Sequence, residues 1–241
     1  MKAIVLSAGQ GRRLLPLTER KPKCLLELGE ASVLELQLRA LARCGVEHTT
    51  VVVGFGAPHV ERFIAENPMP GMNVEALFNP FYIASDNLAT CWIAQSAMDQ
   101  DFLLINGDTV FEDRVLQRLL DAPPSPVTIA IDHKSNYDED DMKVTVDNEG
   151  KLLAIGKQLK PERVSGESIG LLRFSGTGVE AFRSELDRAM RDSAALKAWY
   201  LSVVDVLAKD GLVETASIRT FFWREIDCVE DLDDARRTWP G

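Results

Sequence analysis

LSAGQGRRLLPLTERKPKCLLEL, residues 6–28, follows the apolar run Ala3-Ile4-Val5-Leu6 without a break. An apolar strand that runs directly into a glycine-bearing, basic turn is the opening of an α/β protein, and this is where such proteins bind anions. Gly9 and Gly11 leave no Cβ in the way, so backbone N–H groups can converge on a phosphate. The stretch also holds three arginines and two lysines. Two familiar loops do not fit it. A dinucleotide fingerprint needs a small third residue where this chain has Leu14, and the second strand ends in Val53-Gly54 with no acidic ribose reader. A P-loop needs Gly-Lys-Ser/Thr, which is absent.

Beyond this turn, Ser32-Val33-Leu34-Glu35 reads as a capping box opening a helix that ends near Cys44-Gly45, with Leu34, Leu38 and Leu41 on its apolar face. Strands are expected over 2–6, 49–53, 73–78, 102–106 and 127–131, separated by helices over 58–66, 87–98 and 113–120. That alternation implies a parallel sheet with helices on both faces. After Asp132 the pattern changes. Residues 142–146 and 152–155 flank Asp147-Asn148-Glu149-Gly150 as a β-hairpin, which makes the sheet mixed. A strand over 166–174, helices over 178–190 and 196–208, a broken strand pair within 213–226 and a last helix over 229–237 complete the chain. One domain spans 1–241, divided by this change of pattern into halves over about 1–131 and 132–241.

The chain has 241 residues, 46% of them hydrophobic, enough for a full core, and a formal charge of −10. Such a surface repels polyanions, so neither nucleic acid nor an anionic membrane is expected as a partner, and the basic turn is a local feature. No apolar run reaches a membrane span, and Met1-Lys2 leads into a strand and not a signal peptide, so a cytoplasmic protein is expected. Cys24, Cys44, Cys91 and Cys228 have no metal or disulfide spacing. The histidines form no triad or metal pattern, and Ser7 has no histidine partner. Asp138-Glu139-Asp140-Asp141 reads as a solvated acidic loop.

Gly9-Gln10-Gly11-Arg12-Arg13-Leu14-Leu15-Pro16-Leu17-Thr18 with Pro22-Lys23 resembles the signature of the nucleotidyltransferases that activate sugar phosphates and choline phosphate. The resemblance implies a Rossmann-like, mostly parallel mixed sheet of the nucleotide-diphosphosugar transferase type, with a nucleotide-binding half over about 1–131 and an acceptor-binding half over 132–241. It also implies a turn that wraps a triphosphate, with Arg13 on the leaving phosphates and Lys23 on the reacting one. Leu6, Ala8, Gly9, Gly11, Arg12 and Asn87 are expected to bind the nucleotide. A guanidinium fork suits pyrophosphate oxygens, and a lysine point charge suits a phosphorus centre gathering negative charge. Mg²⁺ is the implied cofactor. Asp108, at the end of the strand carrying Ile105-Asn106-Gly107, is its first expected ligand, and Asp227 of the Glu225-Ile226-Asp227 element its second.

The stretch 79–90, NPFYIASDNLAT, resembles the branch containing choline-phosphate and aminoethylphosphonate cytidylyltransferases, where sugar-specific branches carry a glycine-rich segment. The implied reaction is transfer of CMP from CTP to a small phosphorylated or phosphonate amine. Asp86 stands where that branch has asparagine, and a carboxylate there suits a cationic acceptor. Lys157 and Glu167 resemble positions reaching the acceptor, and Trp199 and Tyr200 offer aromatic faces to an ammonium. Sugar-1-phosphate or polyol-phosphate transfer, and an inactive nucleotide-binding regulatory protein, are the alternatives. A homo-oligomer is compatible with either.

Overall fold

In the computed structural model, which describes residues 1–240, the sheet is built outward from β1 (Lys2–Ser7). β2 (Glu27–Leu28) and β3 (Ala31–Ser32) form a short antiparallel pair that ends the basic loop and leads into α1 (Val33–Arg43). The chain continues through β4 (His48–Val53), α2 (Ala57–Glu66), β5 (Asn73–Phe78), α3 (Asn87–Ile93) and β6 (Phe102–Asn106). Next come β7 (Thr109–Phe111), α4 (Asp113–Leu120), β8 (Val127–Asp132), β9 (Lys143–Val146), β10 (Leu152–Gly156) and β11 (Gly166–Phe174). The last elements are α5 (Thr177–Ala189), α6 (Leu201–Lys209), β12 (Val213–Ser217), β13 (Trp223–Glu225) and α7 (Val229–Thr238).

The main sheet runs β10-β9-β11-β6-β1-β4-β5, and β8 joins β11 and carries β12. β6, β1, β4 and β5 are parallel, whereas β11 is antiparallel to β6, β8 and β9. β1 thus lies between β4 and β6, where successive connections leave in opposite directions, and a crevice opens at the carboxyl ends of its strands. Leu6 pairs with Asn106, so the loops after β1 and β6 emerge side by side.

Alternation along β1 divides the core. Ala3 and Val5 pack with Leu34, Leu38 and Leu41 of α1 on one face, while Ile4 packs with Phe102, Phe182 and Val204 on the other. A third cluster of Leu14, Leu26, Leu28, Val110, Ile226 and Leu232 fastens the basic loop to β7 and α7. Among the described residues no helix is long and apolar enough to cross a membrane.

Several expectations need correction. The helix over 87–98 is α-helical only to Ile93 and tightens into a 3₁₀ turn over Ala94–Ala97. The helix over 196–208 begins at Leu201: Ser193–Lys197 form a separate 3₁₀ turn whose end accepts hydrogen bonds from the start of α3, Asp86 N to Leu196 O at 2.7 Å and Leu88 N to Ala198 O at 3.2 Å. β12 and β13 do not pair with each other. β12 lies parallel to β8, and β13 is antiparallel to β7, a strand too short to show any periodicity in the sequence. Ser32 Oγ accepts from Glu35 N at 3.2 Å, but the Glu35 carboxylate turns to Arg39 instead of closing a capping box.

Candidate active site

Two loops meet at the crevice, and glycine permits both. Gly107 N donates to Leu6 O at 3.0 Å, and a Cβ on Gly107 would lie 2.3 Å from Ser7 Oγ. Gly11, at φ 71°, turns the chain into the 3₁₀ turn Arg12–Leu14. Leu14 is fully buried beneath it, which explains a leucine where a dinucleotide turn would need a small residue. Thr18 Oγ1 donates to Gly11 O at 2.8 Å and holds the loop closed. The stem of Lys23 lies across Gly11, where a Cβ would sit 2.9 Å from Lys23 Cδ. The ammonium is therefore aimed by packing as well as by charge.

Lys23 Nζ donates to Asp227 Oδ1 at 2.6 Å and to Asp108 Oδ2 at 2.9 Å. Arg13 takes the other oxygen of Asp227 at 2.7 Å and reaches Asp140 at 3.3 Å, and Lys157 pairs with that same Asp140 carboxylate at 3.2 Å. The result is a row of alternating charge, Asp108–Lys23–Asp227–Arg13–Asp140–Lys157, along the crevice. Burial alone would lower the Lys23 pKa, but Asp108 and Asp227 outweigh it and hold the ammonium above its ordinary value. Asp227 also loses solvation, which would raise it, and Lys23 and Arg13 more than reverse that, leaving its carboxyl low.

Glu225 projects to the same point: its carboxylate and those of Asp108 and Asp227 offer oxygens within 4.8 Å of one another. Its pKa is pushed up to about 8 by loss of solvation and by repulsion from Asp108 and Asp227. Asp108 Oδ1 is buried without any hydrogen-bond partner. An orphaned carboxylate oxygen beside two further carboxylates is the donor set a hard divalent cation takes, so these residues fit Mg²⁺.

Beside this row opens a cleft of about 280 Å³. Leu6, Ala8, Gly9 and Asn87, expected around the nucleotide, line it together with Asp86 and Trp199, expected around the acceptor, and with Asp108. Arg12 is exposed to solvent. Lys157 Nζ stands 4.6 Å from the centre of the Trp199 ring, and Trp199 is 44% exposed. Two expectations are corrected here. Tyr200 is 0% exposed, its ring within the core and its hydroxyl donating to Asn106 Oδ1 at 3.1 Å, so it offers no face to a ligand. It supports the cleft instead, through its N–H to Asn87 Oδ1 at 2.9 Å. Glu167 is 5% exposed, lies outside the cleft lining and is paired with Lys134 at 3.0 Å, so its charge is already answered.

Glu225, Asp140, Tyr82 and Ser85 belong to the site or its rim without having been singled out. Glu225 ends β13 two residues before Asp227, with the buried Ile226 between them, and that spacing was the available signal. Asp140 gave none, because four consecutive acids do not reveal which one faces a cation.

A model of the MobA-like NTP transferase domain matches residues 3–162, more than half of the chain, and the chain belongs to that family. CMP-5'-(3-aminopropyl)phosphonate synthase of Streptomyces rubellomurinus is 36% identical over 130 residues, covering 54% of this chain and 20% of that protein. CTP:phosphoglutamine cytidylyltransferase of Campylobacter jejuni is 26% identical over 254 residues, covering 97% and 98%. The chain therefore spans about a fifth of the first relative and nearly all of the second. The solved structure of the inositol-1-phosphate CTP transferase from T. maritima superposes with a TM-score of 0.80 at 19% identity, over 99% of this chain and 96% of that one. The mixed, mostly parallel sheet expected of a nucleotide-diphosphosugar transferase type is thus the fold observed.

Proposed function

We propose that the chain transfers CMP from CTP to a small phosphonate or phosphate ester bearing an amine, releasing pyrophosphate. An acceptor oxygen attacks the α-phosphorus of CTP, the new P–O bond forms as the α–β bridging P–O bond breaks, and no protein nucleophile takes part. The observation that carries the reading is the row of Asp108, Lys23, Asp227 and Arg13 held at the mouth of a cleft beside the glycine turn. The sequence relatives support the base and the acceptor class, since their names pair a cytidine nucleotide with an amino-bearing phosphonate or phosphate.

Asp108, Asp227 and Glu225 would hold Mg²⁺, which when bound neutralises phosphate oxygens. The remaining work falls to side chains. Lys23, kept charged by its carboxylates, faces the reacting phosphate, where its attraction strengthens as negative charge gathers. Arg13 presents its fork to the departing pyrophosphate. Leu6, Ala8, Gly9 and Asn87 enclose the nucleoside, with Tyr82 and Ser85 on the same cleft wall. Asp86 and the exposed face of Trp199 answer the acceptor's cation.

Pyrophosphate release measured over a matrix of CTP, UTP, ATP and GTP against choline phosphate, 2-aminoethylphosphonate and glucose-1-phosphate tests the reading. Turnover is expected with CTP and an amine-bearing acceptor. Robust turnover with glucose-1-phosphate and none with either amine would refute the acceptor assignment.

A further inference from the structure

Asp108 stands in the short turn Gly107-Asp108 between β6 and β7, and a side chain of α1 clasps that turn from behind. Gln37 Nε2 donates to Asn106 O at 2.8 Å and to Thr109 O at 2.7 Å, so its two hydrogens are taken by the carbonyls that open and close the turn. The turn is also joined to the other carboxylates through the backbone, since Ile226 N, between Glu225 and Asp227, donates to Asp108 O at 3.0 Å. Gly107 is the loose point. The close approach of Ser7 Oγ requires a glycine there, and glycine leaves the backbone beside Asp108 free to swing unless its ends are fixed.

The core itself gives no reason for a glutamine at this place. Leu34, Gln37, Leu38 and Leu41 form the buried stripe of α1, spaced as an apolar helix face, and Gln37 is 1% exposed within it. Its Oε1 is buried without a hydrogen-bond partner, a cost that an apolar residue would not carry. A methionine of similar length would fill the same space and leave both carbonyls unclasped. The turn, and not the helix, therefore explains the residue.

We infer that Gln37 is a positioning residue for the divalent cation: by fixing both ends of the turn it sets the direction of the Asp108 carboxylate, with Oδ2 on Lys23 and Oδ1 left for the cation. The inference rests on the reading of Asp108, Asp227 and Glu225 as the ligands of Mg²⁺. Gln37 touches neither cation nor substrate. It acts through Asp108, because a ligand already held in its binding geometry does not have to be ordered when the ion arrives.

Mn²⁺, which stands in for Mg²⁺ and is visible to electron paramagnetic resonance, is titrated without nucleotide into the wild-type chain, Gln37→Met, Gln37→Asn, Leu38→Val, Asp108→Asn and the double variant Gln37→Met/Asp108→Asn. Far-ultraviolet circular dichroism first shows which of them are folded. Gln37→Met removes the donors, and Gln37→Asn keeps the amide but withdraws it by one methylene, so either variant can carry the test. Each is expected to weaken Mn²⁺ binding about 10- to 100-fold. Leu38→Val loosens the same helix face without touching the turn and is expected to stay within about twofold of wild type. Adding Gln37→Met to Asp108→Asn is expected to cost less than about twofold more, because the residue through which Gln37 acts has already lost its charge. Wild-type affinity in a folded Gln37 variant, an equal loss in Leu38→Val, or a full further loss in the double variant overturns the inference and leaves the cation site standing. A wild-type chain that takes up no Mn²⁺ overturns the cation site and the inference together.

Discussion

Replacing Glu167 by glutamine separates an anchor for the loop joining β8 to β9 from a binder of the acceptor. Glu167 is buried on β11, and loss of solvation pushes its carboxyl up from 4.5 to about 7, with Lys134 pulling it down and Asp141 pushing it up. The folded chain thus holds a proton there that the unfolded chain releases near pH 4.5. Stability is highest below that value and falls as pH rises towards 7, because above it the folded state keeps a poorly solvated carboxylate. Between pH 5 and pH 8 the loss is about 2 to 3 kcal/mol. Three other groups must be kept apart from this window. Asp141 is lowered, so its contribution is lost only in acid below the usual carboxylate range, and Lys134 is raised, so its contribution is lost only in alkali above 10.5. Glu225 overlaps the window, but it is present in both proteins and cancels. Urea unfolding of wild type and Glu167→Gln at pH 5 and pH 8 reads the difference. Wild type is expected to lose about 2 to 3 kcal/mol more than the variant over that interval. Parallel losses would refute the reasoning, and a raised KM for the acceptor at unchanged stability would return Glu167 to the binding site.

Asp108→Asn is expected to lower pyrophosphate release at least about a hundredfold with an unchanged far-ultraviolet circular dichroism spectrum, and to weaken Mn²⁺ binding read by electron paramagnetic resonance. Near wild-type turnover would make Asp108 a structural residue. Lys23→Met is expected to reduce kcat by about 10²- to 10³-fold, roughly 3 to 4 kcal/mol, with a smaller change in the KM for CTP; steady-state kinetics showing the reverse pattern would place Lys23 in ground-state binding. Trp199→Leu is expected to raise the KM for choline phosphate about 2- to 30-fold and that for 2-aminoethylphosphonate less, since a trimethylammonium relies on an aromatic face where a primary ammonium can use Asp86. Equal effects on the two acceptors would assign the ring to packing.

The strands that position the site were legible because β1 and β6 are buried between neighbours and carry unbroken apolar runs, while β4 is β-branched from Thr49 to Val53, and each begins or ends within a residue or so of its expected limit. The basic loop was legible through spacing: Gly11, Arg13, Leu14, Thr18 and Lys23 each have a separate structural task, so the string is improbable without the geometry. What depends on long-range placement was not legible. Trp199 and Tyr200 are adjacent aromatics of similar character. Only the 3₁₀ turn and short link before α6, fixed by hydrogen bonds to α3, decide that one ring faces the cleft and the other enters the core. Glu167 fails for the same reason, because its partner Lys134 lies on the loop joining β8 to β9 and nothing local announces the pairing.

The interdependence of the charge row constrains how the site can be assembled. Lys23 is 12% exposed along its side chain, and a lysine so enclosed would lose its proton more easily if it were alone. Asp108 and Asp227 in turn stand close enough to repel each other and Glu225 unless a cation lies between them. Each charge is therefore tolerated because of its neighbours, and removing one leaves the others poorly solvated and unanswered, which costs more than the pairing itself contributes. Such a row needs its cation delivered from outside the carboxylate strands at a fixed height. The glycine turn does this: Gly11 gives way to the Lys23 stem, Leu14 pins the turn in the apolar cluster that also holds Ile226, and Ile226 is flanked by Glu225 and Asp227. Lysine and carboxylates are thus positioned by one shared piece of core, so the geometry of the charges follows from apolar packing as well as from the attraction between them.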